Sequence, residues 1–600
     1  MRFIMVDSIL SFIRFVFKYK NGLVDKIMFY ASMICAAIVI FNVGYVTDPT
    51  LGILLGKTIH YLFFVLFFMI ALRESSSIYA LKKIAVEHYS GLFILIYFIF
   101  ILIARFAGID ALSVFSREQW IYLGIYIIFI AELSKSTLFF DNFYFNPTIL
   151  FVISFLVLIL IGTVLLMLPR TTIEAPLSFV DALFMATSAV CITGLSVSDI
   201  STNFSMFGQT VIIVLIQVGG LGIMTFTGFF GYFFSGGFSF KNQLMFGEIL
   251  GENKVASVIK TLLTMIFITL LFEFLGALLI FSTLERTNFP NMGSMIFFSI
   301  FHSISSFCNA GFSILSGGIT NEAYKFNYPF QLALSSLFIL GGLGFGIVLN
   351  FYTYIKESIL LWYHRLITKK NYKHKAWSFS FNSKLVLLCN AIIIVAATLF
   401  FYFLERKNAL SLEKGLDGEW ATSFFMANAA RSAGYNSIDL SFVGAPTIFL
   451  IMLLMWIGAS PGSTGGGVKV TTVALSFINI ISLAKGKEYI EIFKRRIASE
   501  SVNKAFAIIL LSFIVVGLSF FVLIFTDPDK SMKDLLFESL SAYTTCGLSL
   551  GITPSLSMGG KLVIVVTMLV GRVGMLTLLV AFIKNTTRRN IIFPEEKILF

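Results

Sequence analysis

The 600-residue chain reads as an all-α polytopic membrane protein, with an N-terminal membrane extension followed by four tandem units in pseudo-fourfold arrangement. Three observations carry that reading. Hydrophobic residues make up 58% of the chain and charged residues only 13%, and the mean hydropathy of +0.91 lies far from soluble averages. Apolar runs of about 18 to 25 residues recur between charges and turn formers, as a hydrocarbon core about 30 Å thick demands of helices. Four short segments, each centred on a glycine, recur at nearly constant intervals. The ten-residue alternation of a membrane β-barrel is absent.

Residues 1–145 form the extension, with spans expected near 27–47, 52–72, 90–107 and 119–133. Arg2, Arg14, Lys18 and Lys20 occur early without a compact apolar core and small-residue cleavage site, so no cleaved signal peptide is expected. Arg73, Lys82 and Lys83 mark an internal loop. An even number of spans keeps the N-terminus cytoplasmic. No span carries arginines at every third position, which speaks against a voltage sensor.

The units follow as 146–245, 246–375, 376–500 and 501–590, with 591–600 a cytoplasmic tail. Each opens on a long apolar helix (about 147–168, 258–282, 384–404 and 504–526). A half-helix of about a dozen residues follows: FVDALFMATSA, MIFFSIFHSISS, WATSFFMANAA or LLFESLSAYT. The glycine segments come next, AVCITGLSV, SFCNAGFSI, AARSAGYNS and YTTCGLSLG, centred on Gly194, Gly311, Gly434 and Gly547 at intervals of 117, 123 and 113 residues. A second long helix closes each unit, and each has its own glycine pattern: VGGLGIM, LGGLGFG, IGASPGS and VGRVGML. Glycine also serves as a close-packing residue in membrane helices; four copies in matched order favour a re-entrant loop over four unrelated helix contacts. Backbone that is not helical at membrane depth persists only where protein buries it or it lines a watery cavity.

A cation entering a bilayer must exchange its water shell for oxygens of similar number, and rings of backbone carbonyls provide them. Glycine's free φ turns successive carbonyls one way and leaves the axis open. The residues before each glycine (Ile192 and Thr193, Asn309 and Ala310, Ser432 and Ala433, Thr545 and Cys546) would supply carbonyls rather than side chains. Half-helices ending there add C-terminal partial negative charge. The expected architecture is therefore helix, pore helix, filter loop and helix, four times around one pore.

These four loops, with SPGSTGGGVK in the third unit and GRVG in the fourth, resemble the pore subunits of the Trk/Ktr/HKT superfamily of potassium transporters, most of all the bacterial Ktr type, over about residues 145–590. The resemblance implies potassium uptake across the cell membrane through a single central pore, with Gly194, Gly311, Gly434 and Gly547 setting selectivity. Plant relatives with serine in the first loop tend toward sodium, so Gly194 argues for potassium. It also implies a homodimer in membrane lipid and a separate cytoplasmic ring that binds nucleotide, because no strand-linked GxGxxG occurs in this chain. Sodium or proton coupling stays open, and no cofactor is expected in the chain itself. The extension departs from the eight-span Ktr core.

Arg572 interrupts the apolar run KLVIVVTMLVGRVGMLTLLVAF, where an isolated charge costs at least about 2.5 to 3.5 kcal/mol. It takes the place of Gly220, Gly342 and Ala459 in the other units and is expected to face the pore and raise the barrier to cations, a bundle-paired structural arginine being the alternative. Arg431, just before the third glycine, is expected to brace the filter with Glu538 as partner; Asp181 and Glu419 are weaker candidates. His302 reads as a packing residue. In the third unit Gly458, Ser460, Pro461, Gly462, Ser463, Thr464, Gly465, Gly466 and Gly467 break the second long helix. Proline and the glycines forbid a regular helix, and the hydroxyls can satisfy freed backbone groups. The resemblance names this an intramembrane gating loop; a plain hinge is the other reading.

Basic residues cluster in alternate loops: Lys356, Arg365, Lys369, Lys370, Lys373, Lys375 and Lys384; Lys485, Lys487, Lys494, Arg495, Arg496 and Lys504; and Lys584, Arg588 and Arg589. The positive-inside rule makes these cytoplasmic and explains the net charge of +12 without a nucleic-acid partner. Other function classes remain: a sodium-selective or poorly selective carrier, a non-transporting receptor or scaffold, and a membrane enzyme. The enzyme lacks parts, with no HExxH, no paired intramembrane aspartates and no Ser/His dyad. GSTGGGVK resembles a phosphate loop only superficially, since valine follows Gly467 and no strand precedes it. Five dispersed cysteines (Cys35, Cys191, Cys308, Cys389 and Cys546) suggest neither a disulfide framework nor a zinc site.

Overall fold

The computed structural model describes residues 21–46, 49–81, 89–106, 115, 117–137, 147–222, 255–368, 381–487 and 489–574. Lys82, Lys83, Lys369, Lys370, Lys373, Lys375, Lys584, Arg588, Arg589, the end of VGGLGIM and VGRVGML, and the tail 591–600 lie outside the described residues.

The described chain is almost wholly helical, with one two-residue hairpin as its regular sheet. Among the described residues of the extension stand four helices: Asn21–Gly44, Pro49–Leu81, Tyr89–Phe106 and Glu118–Thr137. Their apolar faces meet in a core of their own around Met28, Val39, Ile59, Phe98 and Ile125. Phe63 stacks on Phe98 with centroids 4.2 Å apart. Arg73 pairs with Glu132 at 2.7 Å, both largely buried, which makes the charge of Arg73 tolerable inside an apolar bundle.

After the extension come α1 (Pro147–Leu166), α2 (Phe179–Val190) and α3 (Met206–Leu221), then α4 (Val255–Thr283), α5 (Met292–Phe307), α6 (Tyr328–Gly342) and α7 (Phe345–Thr368). Next stand α8 (Phe381–Glu405), α9 (Gly415–Ala429), α10 (Ala445–Trp456) and α11 (Val470–Ala484), and last α12 (Ser499–Thr526), α13 (Met532–Thr544) and α14 (Met558–Val573). Helices α2, α5, α9 and α13 are enclosed by their neighbours, with Phe184, Phe301, Phe425 and Phe537 fully buried. Side chains such as Phe403 and Phe525, about 70% exposed, point outward from the long helices. Phenylalanine thus fills the interior and also covers the outer face, while Thr193, Ser306 and Thr545 are fully buried inside, a distribution that suits a lipid surround.

One bend was not foreseen. LGGLGFG reads as the middle of a long helix, yet α6 and α7 meet at 103° across Leu343 and Gly344. Gly344 sits at φ 93°, a conformation that side chains disfavour, and Phe345 N donates to Gly462 O at 2.8 Å. Irregular backbone is therefore shared by the second and third units, and the two breaks hydrogen-bond to each other.

Candidate functional site

The ends of the short helices build the site. In α2, α5 and α13 the chain leaves the helix through a residue in the left-handed region, Ile192 (φ 57°), Asn309 (φ 58°) and Thr545 (φ 47°). The next amide then reaches back five residues: Thr193 N to Ser188 O at 2.8 Å, Ala310 N to Ser305 O at 2.7 Å, and Cys546 N to Ser541 O at 3.0 Å. This is the Schellman closure of a helix, whose left-handed position is ordinarily glycine or asparagine. Asn309 fits. Ile192 and Thr545 are β-branched there, at a cost of order 1 to 3 kcal/mol each. The third unit places Ser432 at φ 99° and closes through Gly434 N to Ala429 O at 3.2 Å.

Two residues further on, Gly194, Gly311, Gly434 and Gly547 have φ of 90°, 69°, 73° and 96°. They meet in cyclic order. A methyl group on Gly194 would overlap Ala310 O, one on Gly434 would overlap Cys546 O, and one on Gly547 would overlap Thr193 O. On Gly311 it would lie 2.7 Å from Ala433 O. The four carbonyls before the four glycines thus stand against the neighbouring unit's glycine, and the ring closes from fourth to first. Sequence reasoning named all twelve residues; the left-handed step two before each glycine is new. Only Asn309 has a side chain that announces it.

The second glycine row packs differently. Gly219, Gly341 and Gly571 let their helices lie against Val190 O, Phe307 O and Tyr543 O at the ends of α2, α5 and α13, which is the close-packing role. Gly458 instead approaches Gly466 O within its own loop.

Residues 457–469 run between α10 and α11 under the ring. Gly458 N donates to Val468 O at 3.0 Å and Ala459 N to Gly466 O at 3.1 Å, so the loop is a closed excursion. It touches the second, third and fourth units. Thr464 Oγ1 donates to Phe307 O at 3.2 Å and is hydrogen-bonded with the Asn309 amide at 3.0 Å. Gly466 N donates to Ser432 Oγ at 2.9 Å, and Gly466 leaves no room for a side chain beside Thr545. Ser463 Oγ donates to Ser460 O at 2.6 Å, while Pro461 and Gly462 are exposed. Gly465 and Gly467 complete the tip, Gly467 at φ 72°. Arg572 joins the fourth unit to it: Nη1 donates to Thr464 O at 2.5 Å and Nη2 to Gly219 O at 2.9 Å. Lys469 Nζ donates to Gly465 O at 2.7 Å. Two cations therefore rest on consecutive loop carbonyls.

The pairing expected for Arg431 is not found. Arg431 Nη2 donates to Asn390 Oδ1 at 2.5 Å and to Gly458 O at 3.4 Å, while Glu538 accepts from Thr553 Oγ1. Asp181 pairs with Lys561 at 2.6 Å and Glu419 with Arg406 at 3.8 Å, so the weaker candidates are engaged elsewhere. The physical reason is reach: Asn390 in α8 also donates to Ser460 Oγ at 3.0 Å, so one neutral amide serves both the arginine and the loop. Glu538→Gln is accordingly expected to cost less than about 1.5 kcal/mol, whereas a buried ion-pair partner would cost about 3 to 5 kcal/mol; melting of the purified protein separates the two.

Three further polar residues escaped the sequence reading. Glu273 is the one carboxylate of α4 and Asn390 the one amide in the interior of α8, signals legible in the sequence. Glu273 accepts from Gln217 Nε2 at 3.0 Å and stands beside Cys308, whose sulfur fills the space at Gly220. Gln217 is the third. His302 packs as expected, with Nδ1 at 3.0 Å from Phe298 O and Nε2 at 2.9 Å from Ser313 Oγ.

Comparison with known proteins finds a match to the family model described as TrkH, cation transport protein, over residues 123–591. The Ktr system potassium uptake protein B of Bacillus subtilis is 36% identical over 458 residues, 76% of this chain and 96% of that protein. The potassium/sodium uptake protein NtpJ of Enterococcus hirae is 35% identical over 463 residues, 76% of this chain and 97% of that protein. Among solved structures, the potassium transporter TrkH from Vibrio parahaemolyticus aligns with a TM-score of 0.58 at 17% identity, covering 83% of this chain and 97% of that one.

Proposed function

From the premise that this chain belongs to the TrkH family of cation transport proteins, we propose that it takes up potassium across the cell membrane through one central pore, filtered at Gly194, Gly311, Gly434 and Gly547. The observation that carries the reading is the closed ring of glycine-to-carbonyl contacts. Carbonyl oxygens from Thr193, Ala310, Ala433 and Cys546 replace a cation's water shell there, and the membrane potential drives entry with about 2.3 kcal/mol per charge for each 100 mV.

Residues 458–467 form the gate in this reading, with Arg572 as its latch and a cationic barrier. Arg431 braces the third filter segment through Asn390 rather than Glu538. Two relatives are named as component B of a Ktr system, which supports a separate regulatory subunit; a homodimer under a nucleotide-binding ring, with both termini cytoplasmic, is the assembly proposed. A relative named for potassium and sodium supports sodium as a second carried or coupled ion.

The test is expression in cells lacking their own potassium import. Growth at low potassium is expected to be restored, with rubidium uptake competed by potassium better than by sodium. Growth that stays dependent on high potassium, with the protein present in the membrane, would refute the reading.

A further inference from the structure

Beside the proposed gate, next to the basic segment 485–504, lies a cavity of about 490 Å³. Its walls include Ile347, Phe381, Leu385, Leu475 and Arg496, and the gating loop contributes Pro461. The volume falls in the range of ligand pockets. It is small for a whole phospholipid and sufficient for a phosphate with the upper part of one acyl chain.

One wall is a strained hairpin. Glu491 pairs with Arg496 and Ile492 with Arg495, which leaves Phe493 and Lys494 as the two turn residues, at φ 49° and 62°. Such a turn ordinarily takes asparagine and glycine, and left-handed backbone on bulkier residues marks a functional constraint. Here the strain holds Phe493 edge-on to Phe381, with centroids 6.0 Å apart. Ile490 and Ile492 are buried against Leu385 and Val502. Arg496 lies 3.3 Å over the Tyr489 ring, which orients the guanidinium without neutralising it. Glu491 and Glu500 engage Lys487 and Lys504; among the described residues no ion pair engages Lys494, Arg495 or Arg496. An apolar cleft with an oriented, unneutralised guanidinium on a basic rim, in a segment that the positive-inside rule assigns to the cytoplasmic membrane surface, matches one chemistry.

We propose that this cavity binds an anionic phospholipid of the inner leaflet, its phosphate on Arg496 and its acyl chain along Ile347, Leu385 and Leu475. Basic pockets between membrane helices on the cytoplasmic side select such headgroups. Because Pro461 belongs to both the cavity and the loop, lipid occupancy sets how freely the loop moves. That second half rests on the gate reading above; the binding half does not.

The full-length protein in nanodiscs of phosphatidylcholine, with and without phosphatidylglycerol, provides the test. Native mass spectrometry is expected to show phosphatidylglycerol retained preferentially, and Arg496→Gln to weaken that retention about fivefold while leaving phosphatidylcholine unchanged. Rubidium flux into vesicles is expected to depend on phosphatidylglycerol in the native protein and less so in Arg496→Gln. Equal retention by Arg496→Gln overturns the site, and so does displacement of the lipid by inorganic phosphate, which would make this a free-phosphate site. Flux altered by Arg496→Gln equally in neutral and anionic vesicles overturns the link to the gate. Absent flux in every lipid, with selective retention intact, would instead count against the transport reading and leave the lipid site standing.

Discussion

Gly434→Ala is expected to lower rubidium uptake about a hundredfold, equivalent to about 2.7 kcal/mol on the barrier, and Gly434→Asp to abolish it. Two effects act together. Gly434 sits at φ 73°, where any L side chain is disfavoured by about 1 to 2 kcal/mol. Its new methyl would also overlap Cys546 O, so either that carbonyl swings away or the third segment retreats. Each response removes an oxygen from the ring. The same holds at Gly194, Gly311 and Gly547. Gly517 provides the contrast: it is in α12 with nothing within 4 Å of its added methyl, and Gly517→Ala should leave uptake unchanged while adding up to about 1 kcal/mol of helix stability. Uptake by Gly434→Ala within twofold of the native protein, at equal membrane abundance, would sink the filter assignment.

The sequence revealed helices readily because lipid imposes a simple rule on composition. The spans expected at 27–47, 52–72, 90–107 and 119–133 overlap the observed helices Asn21–Gly44, Pro49–Leu81, Tyr89–Phe106 and Glu118–Thr137. The glycines were legible because each needs to lack a side chain. What stayed hidden depends on backbone partners. Arg572 bonds to the carbonyls of Thr464 and Gly219, and a carbonyl has no letter in a sequence. Arg431 was assigned to an acid because charge is conspicuous, whereas its partner Asn390 is neutral and comes from a different helix. The 103° bend after Gly342 uses glycines that read the same as the packing glycines Gly219 and Gly571. Among the described residues, the contacts with Pro461 O and Gly462 O set the bend apart.

Arg572→Ala is expected to raise flux at least tenfold when no regulatory subunit is present, and the magnitude follows from the latch. Two hydrogen bonds from a half-buried guanidinium hold Thr464 O and Gly219 O, and bonds to charged groups are worth about 1.5 to 3 kcal/mol each. A tenfold shift needs only about 1.4 kcal/mol, so the loss of either bond suffices. A latch and an electrostatic barrier differ in how they combine with the loop. If Arg572 acts by holding the loop, then deleting residues 463–467 opens the pore by itself, and Arg572→Ala adds little to the deletion, since coupled sites are not additive. Arg572→Lys should fall between, because an ammonium cannot reproduce the planar fork that spans two carbonyls. If Arg572 instead repels the passing cation, Arg572→Lys keeps native flux, and Arg572→Ala accelerates the loop-deleted protein by the same factor as the intact one. Equal factors would remove the latch and leave the barrier.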